Sequence, residues 1–262
     1  MHPKESDHSR RWGIYIRPAV VALLFLFFWD LSVRWMQSDL FPTPLDVIKG
    51  MIELLRAGLL LRYIVASLFR VSIGFAVATV IGVPVGLVLG WSTRAFEAFN
   101  PMIQVFRPIS PIAWIPLAIL WFGISDAAPI FLIFLASVFP IAVSTMSAVR
   151  NMQPIYLRAA GNFELSQVEL FRRVIFPACL PQIITGLRIS LGIAWLVVVA
   201  AEMIAVNSGL GYLIIDARNA GKRYDLVVAG MVMIGLIGLG LDLLIRRLEH
   251  LEEVRWMHAH RQ

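Results

Sequence analysis

Apolar and polar positions in this chain segregate into long blocks instead of alternating residue by residue. Apolar runs of about 20 residues recur, the length a helix needs to cross about 30 Å of hydrocarbon. They predict six spanning helices, over about 18–36, 64–90, 100–122, 128–148, 182–205 and 226–245. A β-barrel would alternate apolar and polar residues within strands of about ten residues, and no such pattern is present. The first run, Ala19–Leu31, follows Lys4, Arg10, Arg11 and Arg17 but leads into Arg34-Trp35-Met36 with no small-x-small cleavage site. It reads as an uncleaved span and not as a removable leader. The third block contains Pro108, Pro111 and Pro116, which predicts a kink or break. Backbone groups freed at membrane depth need protein or a water-filled cavity around them, so Arg107–Pro116 is a candidate lining of a pathway.

Two shorter patterns add detail. Between the first and second spans, PTPLDVIKGMIELLRAG predicts a turn and then an amphipathic helix, with Val47, Ile48, Met51, Leu54 and Leu55 on its apolar face. It is expected to lie along the outer membrane surface, packing across the tops of the spans. Gly82, Gly86 and Gly90 fall four apart on one face of the second span, a small-xxx-small stripe that permits close helix contact.

Composition supports a membrane protein. Of the 262 residues, 59% are hydrophobic and only 15% charged, against roughly 25% charged in soluble domains. The net charge of +6 lies mostly at span ends, as the positive-inside rule requires, so it does not imply nucleic-acid binding. Most of the 23 Lys and Arg residues fall on the N-terminal side of the membrane, with Arg107 counted among them. Both termini are therefore expected in the cytoplasm. The predicted organisation is a tail (1–17), one membrane domain (18–248) with a cytoplasmic loop at about 150–181, and a second tail (249–262). The single cysteine, Cys179, excludes an internal disulfide.

Catalytic readings find no support. The five histidines, His2, His8, His250, His258 and His260, all lie in the tails. There is no G-x-S-x-G, no H-E-x-x-H, no cysteine cluster and no G-x-x-x-x-G-K-[ST] phosphate loop. Charged residues inside spans are few, and each is costly there. Asp30 and Arg34 are spaced to pair across one helical turn. Arg70 is placed in the outer part of the second span, where it is expected to snorkel to the interface or present its charge to an anion. Glu202, in WLVVVAAEMIAV, has no basic neighbour in sequence. It is read either as a gate residue or as a group bonded to a neighbouring helix or to backbone amides. The pathway candidates are thus Arg107, Ser110, Pro111, Trp114 and Glu202.

The polar island Arg158–Pro181, RAAGNFELSQVELFRRVIFPACLP, resembles the EAA loop of importer permeases in the ATP-binding cassette (ABC) superfamily. Arg158-Ala159-Ala160 stands at the EAA triplet, and Val174-Ile175-Phe176-Pro177 at the closing I-x-L-P. Arg158 replaces Glu, Phe176 replaces Leu, and Glu164 stands where the motif has the glycine of its turn, so either Glu164 adopts that turn or the turn moves to Gly161-Asn162. FPTPLDVI, SLFRVSIGFAVATVIGVPVGLVLGW, FRPISPIAWIPLAILWFG and GLRISLGIAWLVVVAAEMI followed by GLGYLI are similar to permeases for nitrate, sulfonate, taurine and bicarbonate. The likeness covers roughly residues 20–248.

The resemblance implies an all-α, polytopic type I ABC importer fold in the cell inner membrane. It implies a second permease copy, two cytoplasmic ATPase subunits that bind ATP and Mg, and an external solute-binding protein. The chain itself would need no cofactor. The ATPase-coupling surface implied is Arg158, Ala159, Ala160, Gly161, Glu164, Leu165, Val168, Phe171, Arg172 and Pro177. Independently of the resemblance, Leu165, Val168, Leu170 and Phe171 among charges suit an apolar face that enters a partner's groove, with Arg172 and Arg173 at its rim. An ATP-independent channel or secondary transporter and a structural membrane scaffold are the rival readings.

Overall fold

A computed structural model describes residues 7–36, 41–161 and 165–259. Glu164 and Asn162 of the predicted loop, and His2, Lys4, His260 and Arg261 of the tails, lie outside the described residues. Every described element is helical: α1 (Asp7–Met36), α2 (Pro44–Arg56), α3 (Leu59–Trp91), α4 (Thr93–Phe106), α5 (Ile115–Phe122), α6 (Ala127–Arg150), α7 (Pro154–Gly161), α8 (Gln167–Leu170), α9 (Phe176–Ala205), α10 (Leu210–Gly221) and α11 (Tyr224–Ala259). The helices α1 and α11 reach into the segments expected to be tails.

Among the described residues, five stretches are long and apolar enough to cross a membrane: Ile16–Met36, Leu59–Trp91, Ala127–Arg150, Gln167–Ala205 and Tyr224–Arg247. The third predicted span is broken. Helix α4 and the segment Pro111–Phe122 meet at an angle of 81°. The break falls where Pro108 and Pro111 cannot donate backbone hydrogen bonds.

The centre of the molecule is α3 lying parallel to α6, with α9 running antiparallel beside them. The predicted stripe of Gly82, Gly86 and Gly90 extends back through Ala78 to Gly74, so five small residues recur every fourth position. A Cβ on Gly74 would stand 2.7 Å from Ile133 Cγ2, and one on Gly86 would stand 2.6 Å from Thr145 Cβ. The two backbones thus approach as closely as glycine allows, gaining dispersion contacts in a medium that supplies no hydrophobic force between helices. Helix α9 joins the pair through Ala194, Val197, Val198 and Ala201, all buried. Buried Trp195 links α9 to α11 by donating its indole N–H to the Ile234 carbonyl at 3.0 Å. Helix α1 meets this body through Trp29 and keeps Phe25, Phe27 and Phe28 exposed. Its predicted pair forms, with Arg34 Nε donating to Asp30 at 2.6 Å.

The helix expected between the first two spans is α2. It starts at a reciprocal capping box: Thr43 Oγ1 accepts the Asp46 N–H at 3.3 Å, and the Asp46 carboxylate accepts from the Thr43 N–H. Its buried face is Val47, Gly50 and Leu54, whereas Ile48 and Leu55 are exposed, so the packed stripe is narrower than the sequence pattern suggested. The packing across span tops holds: α2 sits on α11 and α3. Arg223 ties the corner by donating to Glu53 at 2.7 Å and to Asp225 at 2.8 Å. The hydrogen bond from Arg223 holds the Glu53 carboxyl below its ordinary range.

Two outcomes are expected. Gly86→Val pushes a branched side chain into α6, so the purified chain should melt many degrees lower in detergent, an overpacking cost of about 1–3 kcal/mol. Gly235→Ala, which meets nothing within 4 Å, should leave the melting curve in place. Because the Glu53 pKa is depressed, its contribution is present above the ordinary carboxylate range and lost as pH falls through the lowered value. Accordingly, the protection factors of α2 amides, corrected for the intrinsic exchange rate at each pH, should fall on acidification through that lowered value, and Glu53→Gln should remove this step.

Candidate functional site: a charged clamp, a broken span and a polar loop

Glu202 has no basic neighbour in sequence, and its partner comes from another helix. Glu202 is fully buried and accepts from Arg70 Nη1 at 2.6 Å. Arg70 does not snorkel: its side chain is only 2% exposed. No local spacing announces this pair, because the two residues are 132 positions apart. Arg70 also donates Nε to Asp126 Oδ1 at 2.8 Å, Nη1 to the Ser208 carbonyl at 2.7 Å, and Nη2 to Asp126 and to the Ser208 hydroxyl. Ser67, one turn before Arg70, donates to Glu202 at 2.8 Å and accepts the Leu210 N–H at 3.0 Å. The Gly211 N–H donates to Glu202 Oε2 at 3.0 Å. Of the two alternatives read from sequence, bonding to a neighbouring helix and to backbone amides is what the geometry displays.

This clamp explains the GLGYLI segment. The turn into α10 brings Gly209 onto the Glu202 carboxylate with φ +106°, and a Cβ there would collide with that carboxylate. Only glycine meets both demands. One guanidinium thus joins α3, the start of α6 and the α9–α10 corner, and it satisfies each buried charge it touches.

The pathway candidates divide accordingly. Arg107, Pro111 and Trp114 line one cavity of about 500 Å³ against α6 and α9. Ser110, at the break itself, is exposed. Glu202 belongs to the clamp and not to that cavity. Arg107, exposed at the break, shares that cavity with Leu135, Ala136, Phe139 and Pro140 of α6 and with Ile189 and Ile193 of α9.

The polar loop forms two short helices. Ala159 and Gly161 lie in α7, with Arg158 exposed and Ala160 buried. Helix α8 begins at a second capping box: Ser166 Oγ accepts the Glu169 N–H at 3.3 Å, and the Glu169 carboxylate accepts from the Ser166 backbone N–H at 3.3 Å. The S-x-x-E spacing was a readable signal for this start. A wide helical turn, Phe171–Ile175, then leads into α9. Pro177 would clash with the Arg173 carbonyl in a regular turn, and the wider turn relieves that. The apolar face read as one stripe is split. Phe171 and Leu170 pack inward with buried Ile175 and Cys179, and Leu165 is half-buried, while Val168 stays 67% exposed. Ile155, Tyr156 and Leu157 of α7 are exposed as well. Arg172 points outward, and Pro177 is half-buried.

Residues 82–252 match the family described as the binding-protein-dependent transport system inner membrane component. The chain belongs to this family. It is 34% identical to the taurine transport system permease protein of Escherichia coli (strain K12), a match covering 94% of each chain. It is 35% identical to the nitrate import permease protein of Synechocystis, covering 90% of this chain and 88% of that one. Its fold is similar to a chain of the MetNI methionine ABC transporter in an inward-facing conformation, with a TM-score of 0.66 and 18% identity, covering 75% of this chain and 97% of that chain. The protein is accordingly a multi-pass inner-membrane permease subunit of type I importer fold, and it is a non-catalytic subunit.

Removing one member of the clamp strands a buried charge, which costs about 3–5 kcal/mol. Glu202→Ala should therefore lower the melting temperature sharply. The double variant Arg70→Met/Glu202→Leu should recover much of that loss, a non-additivity readable by a double-mutant cycle in detergent.

Proposed function

We propose that this chain forms one half of the translocation pathway of an ATP-driven ABC importer for a small solute with an oxyanion group, of the class of sulfonates (taurine among them), nitrate and bicarbonate. The family match and the taurine and nitrate permeases at 34% and 35% identity support this reading. A second copy of the chain completes the pathway. ATPase subunits carrying ATP and Mg act on the polar loop from the cytoplasm, where both termini also lie. An external solute-binding protein delivers the solute. The anion is a matter of relatives' names, since the clamp's own charges are already satisfied.

The observation that carries the coupling step is the continuity of the loop with a span. From Gln167 to Ala205 the chain is helical without interruption, passing through the wide turn into α9. A push on exposed Val168 therefore reaches the Glu202 corner near the far end of the same rod, about 51 Å away at 1.5 Å per residue. ATP binding draws two such loops together, the rods tilt, and the pathway opens on the other side of the membrane. Thermodynamically this requires only that nucleotide-loaded ATPase binds the two states of the permease with different affinity.

Two loop variants separate docking from folding. Ala160 is buried within its own chain, so Ala160→Asp should lose both folding and uptake. Val168→Glu touches solvent alone. It should leave the melting temperature within about a degree while reducing ATP-driven uptake into proteoliposomes at least tenfold. Normal ATP-driven uptake by Val168→Glu would count against this docking surface.

A further inference from the structure

Three arginines stand well inside the spans: Arg70, Arg107 and Arg188. Arg70 is held by Glu202 and Asp126, and Arg188 by Asp242 at 2.9 Å. Among the described residues, Arg107 alone of the three has no ion pair or hydrogen bond to its side chain. Arg107 is exposed on the described chain, at the level of the middle of α6. The α6 residues that share its cavity, Leu135–Pro140, lie roughly 12 Å from one end of that helix and 15 Å from the other, at 1.5 Å per residue. With α6 centred as a span, that level falls near the middle of a bilayer about 30 Å thick. An unpaired cation at such depth calls for water and an anion beside it.

The cavity beside Arg107 has a definite character. Its volume of about 500 Å³ lies in the range of small-molecule sites. Arg107 is the sole charged residue among its walls, and no Asp or Glu lines it. The remaining walls are apolar or aromatic, with Trp114, Leu135 and Ile193 among them. Phe106 and Phe139, stacked with an interplanar angle of 2°, close one end. One fixed positive charge against a greasy wall selects a ligand with one oxyanion head and an apolar body. A bare inorganic oxyanion would use the charge and leave the walls unused. A zwitterion would bring an ammonium group for which the cavity has no carboxylate.

We propose that the cavity at the break of the third span is a solute site, in which Arg107 binds the head of a small organic oxyanion and Trp114, Leu135, Ile193 and the Phe106–Phe139 stack hold its tail. This rests on the importer reading, and it adds to it a binding step inside the permease, apart from any delivery protein. The site sits where the α4–α5 bend meets α6 and α9, so a tilt of α9 changes its shape and its hold on the solute.

The test is equilibrium binding of radiolabelled butanesulfonate to the purified permease–ATPase complex in nanodiscs, with no solute-binding protein added. Saturable binding is expected in the wild type. It should weaken by about tenfold or more in Arg107→Gln and recover most of that loss in Arg107→Lys. Trp114→Ala should reduce the preference for butanesulfonate over methanesulfonate. Nitrate and taurine should compete several-fold less well than unlabelled butanesulfonate. The absence of saturable binding in the wild type would overturn the site, as would binding unaltered in Arg107→Gln, or nitrate competing as well as butanesulfonate. Dissociation of the two permease copies in Arg107→Gln would also overturn it, by giving Arg107 a carboxylate from the second copy as its partner. ATP-driven uptake is measured separately on the same complexes reconstituted into proteoliposomes with the solute-binding protein supplied. Uptake without butanesulfonate binding sinks the site and leaves the importer reading intact, whereas binding without ATP-driven uptake supports the site and sinks the importer reading.

Discussion

A charge within a bilayer must bring its counter-charge with it, and much of this molecule is arranged around that constraint. Arg70 reaches Glu202 at 2.6 Å and Asp126 at 2.7 Å, and in doing so fixes how three segments distant in sequence meet. The α9–α10 turn is placed so that the Gly211 amide points at Glu202, and Gly209 leaves room for that carboxylate. Farther along α9, Arg188 and Arg246 share Asp242 and pin α9 to α11. These pairs do little for net stability compared with well-packed apolar residues. Their value is positional: each admits one register of the helices and penalises the others.

Helix α9 ties the regions together. At one end it grows out of the polar loop through a capped turn and a wide turn. At its middle it lines the cavity beside Arg107, and near its other end it carries Glu202. Against it stands α6, held to α3 by a stripe of small residues that leaves no slack between the two backbones. The account therefore has α3 and α6 moving as one body and α9 transmitting motion from the loop. The break between α4 and α5 has no such rigid continuity, which is where a site that changes with the state of the protein would be built.

The fold was legible because its signals are local. Block hydrophobicity marked the spans, the prolines at 108 and 111 marked the break, glycines four apart marked the α3–α6 contact, and the Asp30–Arg34 spacing predicted that pair. What escaped was non-local or shared between faces. Nothing in the neighbourhood of Glu202 points to Arg70, since a partner on another helix leaves no spacing to read. Arg107 was legible as a pathway candidate because Pro108 and Pro111 mark the bend beside it, but its neighbours across the cavity, on α6 and α9, leave no local signal. Leu165, Val168, Leu170 and Phe171 read as one stripe, yet a short helix entering a wide turn rotates Phe171 inward and leaves Val168 outside. The capping box at Ser166 was there to be seen and marks where α8 begins.

The central claim is that this chain is the membrane half of a machine whose ATPase lies elsewhere. It is tested most directly by native mass spectrometry of the tagged chain, extracted gently from its own membranes with nucleotide present. The account predicts an assembly of two copies of this chain with two copies of a cytoplasmic ATPase subunit, bound stoichiometrically. Recovery of the intact, folded chain with no ATPase subunit, across detergents that preserve other membrane complexes from the same cells, would contradict it.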